Sequence, residues 1–122
     1  DFRRSRGLGD VYKRQDICSC GGLTEAKRIS ALSSTKGVKV IPHTWGSGIA
    51  FYTAINFISN LEPIPGRLYN EDAYIEYDRT ENKIRENIIK NNIKMKDGYI
   101  SVNHNPGLGI NVDETYLNEI KI

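Results

Sequence analysis

Two segments carry side chains that could do acid–base chemistry. The first is Asp16-Ile17-Cys18-Ser19-Cys20-Gly21-Gly22 and the second is Ile41-Pro42-His43-Thr44-Trp45-Gly46. In each, an ionisable group stands where a strand would end. A carboxylate beside an imidazole fixes the tautomer of the ring and raises its basicity, which makes a general base. The pair works only if the chain brings Asp16 and His43 together. One helix's worth of chain, residues 23–36, separates the two segments. A strand–helix–strand unit puts both strand ends at the same edge of a parallel sheet. The spacing therefore predicts that Asp16 and His43 are neighbours.

The elements that must position them read as follows. Gly21-Gly22 breaks the chain before a helix, with Thr24 as the expected cap and Glu25 suited to the positive N-terminal end. Leu23, Ala26, Ile29 and Leu32 recur at three-residue steps and predict one apolar face, with Lys27, Arg28 and Lys36 on the solvated side. Gly37 reads as the stop. Val38, Val40 and Ile41 predict a short buried parallel strand that Pro42 ends. Gly46-Ser47-Gly48 turns the chain into a second helix over 49–60, apolar on most sides. Residues 74–77 predict a third strand, and 83–92 a short polar helix or irregular chain. Residues 95–102 read as a hairpin with Asp97-Gly98 in the turn. A Gly/Pro turn over 106–110 and a terminal helical turn over 114–120 complete the chain. The order is strand–helix–strand–helix–strand, then an irregular tail, which is the end of a βα-repeat fold. Three parallel strands cannot cover both faces alone, so the chain reads as a fragment of something larger.

Composition narrows the function classes. The 122 residues suffice for one small domain. No apolar run is long enough to span a membrane, and no secretory signal is legible. Cys18 and Cys20 are too close in sequence for an ordinary structural disulfide, which predicts a reducing, cytoplasmic setting. The net charge of +2 conceals an asymmetry. Residues 1–15 hold five basic and two acidic side chains, a net +3, and residues 16–122 hold twelve and thirteen, a net −1. The first segment, DFRRSRGLGDVYKRQ, lacks apolar periodicity and resembles a translated sequencing-adapter read-through. It is expected to be disordered and to lie outside the fold. The alternative is a genuine basic arm that binds nucleic acid. Without that arm, nothing basic and aromatic remains to argue for nucleic acid.

The segments DICSCGGLTEAKRISAL, GVKVIPHTWGSGIA, YIEYDRTEN, DGYISV and PGLGINVD together resemble the end of the barrel in the enolase superfamily, mandelate racemase/muconate lactonizing enzyme subgroup. The resemblance covers residues 16–122 and looks most like acid-sugar dehydratases and galactarolactone cycloisomerases. It implies an α/β fold, the C-terminal fragment of a modified TIM barrel, with barrel units over 16–82 and a tail with a hairpin over 83–122. Asp16 would end the sixth strand, His43 the seventh and Glu76 the eighth, at the catalytic face of such barrels. By the same resemblance His43 is the general base that removes the proton α to a carboxylate. Asp16 is its dyad partner, and Glu76 is the acid that hydrogen-bonds the substrate carboxylate. Mg²⁺ would stabilise the enediolate. Trp45 either packs over substrate or anchors its loop. Two departures stand out. The metal-binding carboxylates, the second-strand lysines and the capping domain of the family are absent from this chain. Gln15 occupies the position where the family usually has proline.

Other groups have simpler readings. Asp78, Arg79 and Glu81 are expected to form a salt-bridged loop. The spacing of Cys18, Cys20, His43 and His104 fits no zinc site, and His104 is expected in a solvated turn. The amides of Gly46-Ser47-Gly48 could bind an anion, although a tight strand-to-helix turn is the simpler account. The expected function is thus that of a fragment of a Mg²⁺-dependent enzyme that dehydrates or cycloisomerises a sugar acid or its lactone. The chain alone is expected to be inactive. Its expected partner is a small sugar acid, with no nucleic acid and no membrane, and a homo-oligomer when full-length. The competing reading is a non-catalytic basic-arm interaction module or a decayed remnant.

Overall fold

The computed structural model describes residues 12–66, 68–69, 72–90 and 93–121. Its centre is one βαβα run: β1 (Tyr12–Asp16), α1 (Leu23–Ser34), β2 (Lys39–His43) and α2 (Gly48–Ile58). β1 and β2 pair in parallel, with Gln15 opposite Pro42 and Asp16 opposite His43. Side chains alternate across a strand, so paired residues share a face. Gln15, Val40 and Pro42 are buried on one face. Arg14, Asp16, Ile41 and His43 lie on the other, more open face. The helices cover the first: Ile17, Ala26, Val40, Ala54 and Phe57 form one buried cluster.

α2 is apolar on most sides because it is buried twice. Ala54 and Phe57 meet the sheet, while Phe51, Tyr52 and Ile55 meet Ile88 and Ile89 of the tail. The tail consists of α3 (Lys83–Asn87), β3 (Met95–Lys96), β4 (Tyr99–Ile100) and α4 (Glu114–Glu119). β3 and β4 form the expected hairpin. Asp97 and Gly98 both have positive φ, 52° and 82°, as the two central residues of a type I′ turn require. Asp113 caps α4 by accepting from the amides of Thr115 and Tyr116.

Several expectations are corrected. The α1 stripe is not one face. Each three-residue step falls about 60° short of a full turn, so Leu23 and Leu32 point about 180° apart. Both are exposed, and Ala26 and Ser33, nearly in line seven residues apart, are the buried positions. Gly22 rather than Thr24 stands at the N-cap, and no side chain caps the helix. Gly37, at φ 67°, does close it: the amides of Gly37 and Val38 return to the carbonyls of Ser34 and Ser33.

Pro42 does not end β2 but lies inside it, fully buried. No strand forms over 74–77. Side chains hold that segment beside β2 instead: Lys39 Nζ donates to the Asp72 carbonyl, and Thr44 Oγ1 to the Glu76 carbonyl. Proline leaves β2 one N–H fewer with which to recruit a neighbour. Residues 1–11 lie outside the described residues. Residues 12–15, expected outside the fold, form most of β1. An unpaired edge of β2 exposes a row of backbone donors and acceptors, and this segment satisfies them.

Gln15 is the one ill-fitted member of the buried face. Its Nε2 lies 3.7 Å from Cys20 Sγ, and its buried Oε1 has no partner among the described residues. A buried unpaired acceptor costs about 1–3 kcal/mol. Gln15→Met keeps the shape and removes the acceptor. It should raise unfolding stability by up to that amount, read as a higher urea midpoint at unchanged slope.

Candidate active site

Asp16 is held from its own loop. β1 ends there because the chain turns: the Asp16 carbonyl accepts from the Cys20 amide at 2.9 Å. Its side chain completes the turn, with Oδ1 accepting from the amides of Cys18 at 2.8 Å and Ser19 at 3.1 Å. One carboxylate oxygen is thus engaged by backbone. The other, Oδ2, lies 3.1 Å from Nδ1 of His43, the residue opposite in the parallel register. Both groups reach solvent, with side-chain exposures of 39 % for His43 and 23 % for Asp16.

The electrostatics decide which way the proton sits. Burial works against the charged form of Asp16. The hydrogen bond with His43, the Ser19 and Cys18 amides and the His43 charge outweigh it and hold the carboxyl below its usual range. At neutral pH Asp16 is therefore a carboxylate, which only accepts. Nδ1 of His43 must donate, and the lone pair of the neutral ring is left on Nε2. That nitrogen can take a proton, and the carboxylate stabilises the imidazolium that results.

Glu76 sits differently from the expectation attached to it. Its carboxylate is gripped by the Arg14 guanidinium, with Nη2 to Oε2 at 3.0 Å and Nε facing Oε1. Arg14 and Asp16 are two apart in β1 and share a face. The pair therefore lies on the dyad side of the sheet. It is largely solvated, so it contributes little to stability. Trp45 is 69 % exposed, two residues beyond His43.

Asp78 pairs at 2.9 Å with Arg85, which no spacing in the sequence singles out. Arg85 is buried, and it also donates to the Thr80 carbonyl and is flanked by Glu86. The Thr80 amide and hydroxyl, with help from Arg85, hold the Asp78 carboxyl below its usual range. Arg79 instead lies over the Tyr77 ring, 5.5 Å from its centroid. Asn82 caps α3 three positions before Arg85, but nothing in the local sequence marks Arg85 as buried.

His104 is exposed, and Cys18 and Cys20 are free thiols. Among the described residues no three His, Cys, Asp or Glu side chains converge as a metal would require. These residues do not fit a Mg²⁺ site. Neither Asp16 nor His43 lines the cavity of about 470 Å³ that lies between α2, residues 72–77 and the hairpin. The dyad stands at an open sheet edge. No helix among the described residues is long and apolar enough to cross a membrane.

Residues 9–116 match the sequence profile of the family described as Enolase C-terminal domain-like. D-galactarolactone cycloisomerase of Agrobacterium fabrum is 31% identical over 97% of this chain and 31% of its own length. D-galactonate dehydratase of Cronobacter sakazakii is 31% identical over 93% of this chain and 30% of its own. Among solved structures, 3,6-anhydro-D-galactonate cycloisomerase from Zobellia galactanivorans superposes with a TM-score of 0.72 at 39% identity, over 85% of this chain and 27% of that one. An enolase from Pantoea ananatis with bound D-gluconate and Mg gives 0.69 at 32% identity, over 92% and 25%. The chain thus spans about 30% of the length of the curated relatives it matches.

The depressed Asp16 carboxyl makes a prediction about pH. Because its folded pKa lies below the unfolded value of about 3.9, Asp16 contributes stability that is present above that value. That stability is lost as pH falls through the folded pKa. Asp16→Asn should therefore destabilise the chain at neutral pH. The gap to the unsubstituted protein should persist down to about pH 4 and close as urea midpoints are followed to lower pH.

Proposed function

The chain belongs to the Enolase C-terminal domain-like family, its fold a small α/β piece of that family's TIM barrel, and from this premise we propose that it carries the base of a sugar-acid lyase or isomerase. The observation that carries the reading is the 3.1 Å contact between Asp16 and His43 at paired strand ends. His43 Nε2 removes the proton α to the substrate carboxylate. The electrons of that C–H bond pass into an enediolate, and the ring becomes an imidazolium facing the Asp16 carboxylate. Elimination of the β-hydroxyl as water, or opening of a lactone ring, then completes the turnover.

Glu76 hydrogen-bonds the substrate carboxylate in this proposal, which requires its release from Arg14. Trp45 packs over the sugar chain. The substrate class is supported by the similarity to D-galactarolactone cycloisomerase and D-galactonate dehydratase. Mg²⁺ dependence belongs to the complete protein, where the cation would be held by residues other than those described here. The complete protein would be a cytoplasmic homo-oligomer, and the 122-residue chain alone would be inactive.

The test is exchange of the α-proton of aldonates and aldarates in D₂O, followed by proton NMR on a longer protein containing this segment. His43→Asn should lower exchange by about 10²–10⁴-fold. Exchange unchanged in that variant contradicts the assignment of the base. Turnover by the 122-residue chain above background contradicts its inactivity.

A further inference from the structure

The loop after β2 is tied down by a neighbouring turn at three points. Thr44 Oγ1 donates to the Glu76 carbonyl. Asn82 Nδ2 donates to the Gly46 carbonyl at 3.2 Å. Gly48 packs so closely under α3 that an added Cβ would fall 2.6 Å from the Arg85 carbonyl oxygen. Gly46 has φ 120°, a conformation that L side chains rarely adopt, and this helps set where its carbonyl points.

The turn that holds the loop is itself braced. Arg85 is buried and locks Asp78 and the Thr80 carbonyl around its guanidinium. Asn82 joins the two structures. Its Oδ1 accepts from the Arg85 amide at 2.9 Å as the N-cap of α3, while its Nδ2 reaches across to Gly46. The capping role uses only the oxygen, which serine or aspartate could also supply. The amide nitrogen is not needed for the helix, and its partner is a residue 36 positions away.

We propose that Asn82 is a positioning residue that holds the Trp45 loop against the Arg85-braced turn and so fixes Trp45 beside His43. It rests on the reading of His43 as the base only for its bearing on substrate. With the tether made, Trp45 stands as a fixed wall at the sheet edge that bears the dyad. Without it, Thr44 is the remaining side-chain tie between residues 44–47 and that side among the described residues.

The test is ¹⁵N relaxation on the 122-residue chain and on Asn82→Asp and Asn82→Ser. Both variants keep the capping oxygen and remove the donor to Gly46. Order parameters at the Trp45 and Gly46 amides should fall from about 0.85, rigid backbone, to below about 0.6. The helical shifts of α3 and the order of β1 and β2 should hold. Unchanged order at Trp45 and Gly46 overturns the proposal. So does loss of α3 in both variants, which would show that the amide nitrogen serves the helix and not the loop. The result is independent of α-proton exchange, so either reading can fail alone.

Discussion

Everything chemical in this chain depends on the register of one parallel strand pair. Asp16 opposes His43 because Gln15 opposes Pro42. That alignment is enforced from the helix side, where Val40, Ile17, Ala26, Ala54 and Phe57 pack together. A slip of one residue would turn every side chain of a strand to the opposite face. His43 would then enter the apolar cluster and Pro42 would leave it. The burial of ordinary aliphatic groups on one face is what delivers a carboxylate and an imidazole to each other on the other face.

The local chemistry builds on that alignment in layers. A turn of backbone amides occupies one oxygen of Asp16 and keeps the group ionised, so its second oxygen can only accept from the ring. The tautomer of His43 follows from this. What the described residues lack is enclosure and a metal-ligand set. Both absences agree with a chain that spans about 30% of its relatives' length. A barrel closes on itself through strands that this chain does not include, and its catalytic face is shared among many strand ends.

Much of this was legible in the sequence. The dyad followed from a single rule, that a helical crossover returns parallel strand ends to one edge. α2 was legible because a helix apolar on most sides has to be buried. The hairpin followed from Asp97-Gly98. The misreadings have physical causes. The three-residue steps of α1 wind around the helix, so Leu23 and Leu32 could not share a face. Propensity over 74–77 was overridden by what β2 offers beside it. A strand ending at Asp16 was expected, but residues 12–15 were left out of it because pairing with β2, which no local pattern encodes, supplies their order. The Arg85 cluster was hidden because a buried arginine looks like any exposed one until Asp78 and Thr80 fold around it.

The central claim is that Asp16 holds His43 with its Nδ1 protonated and its Nε2 free. The chain has only two histidines, and His104 is exposed, so the ring nitrogens of His43 can be resolved by ¹⁵N NMR of the labelled protein. In the neutral ring, the account predicts a pyrrole-type signal for Nδ1 and a pyridine-type signal for Nε2, with that preference lost in Asp16→Asn. The opposite tautomer, or one indifferent to the Asp16 substitution, would contradict it.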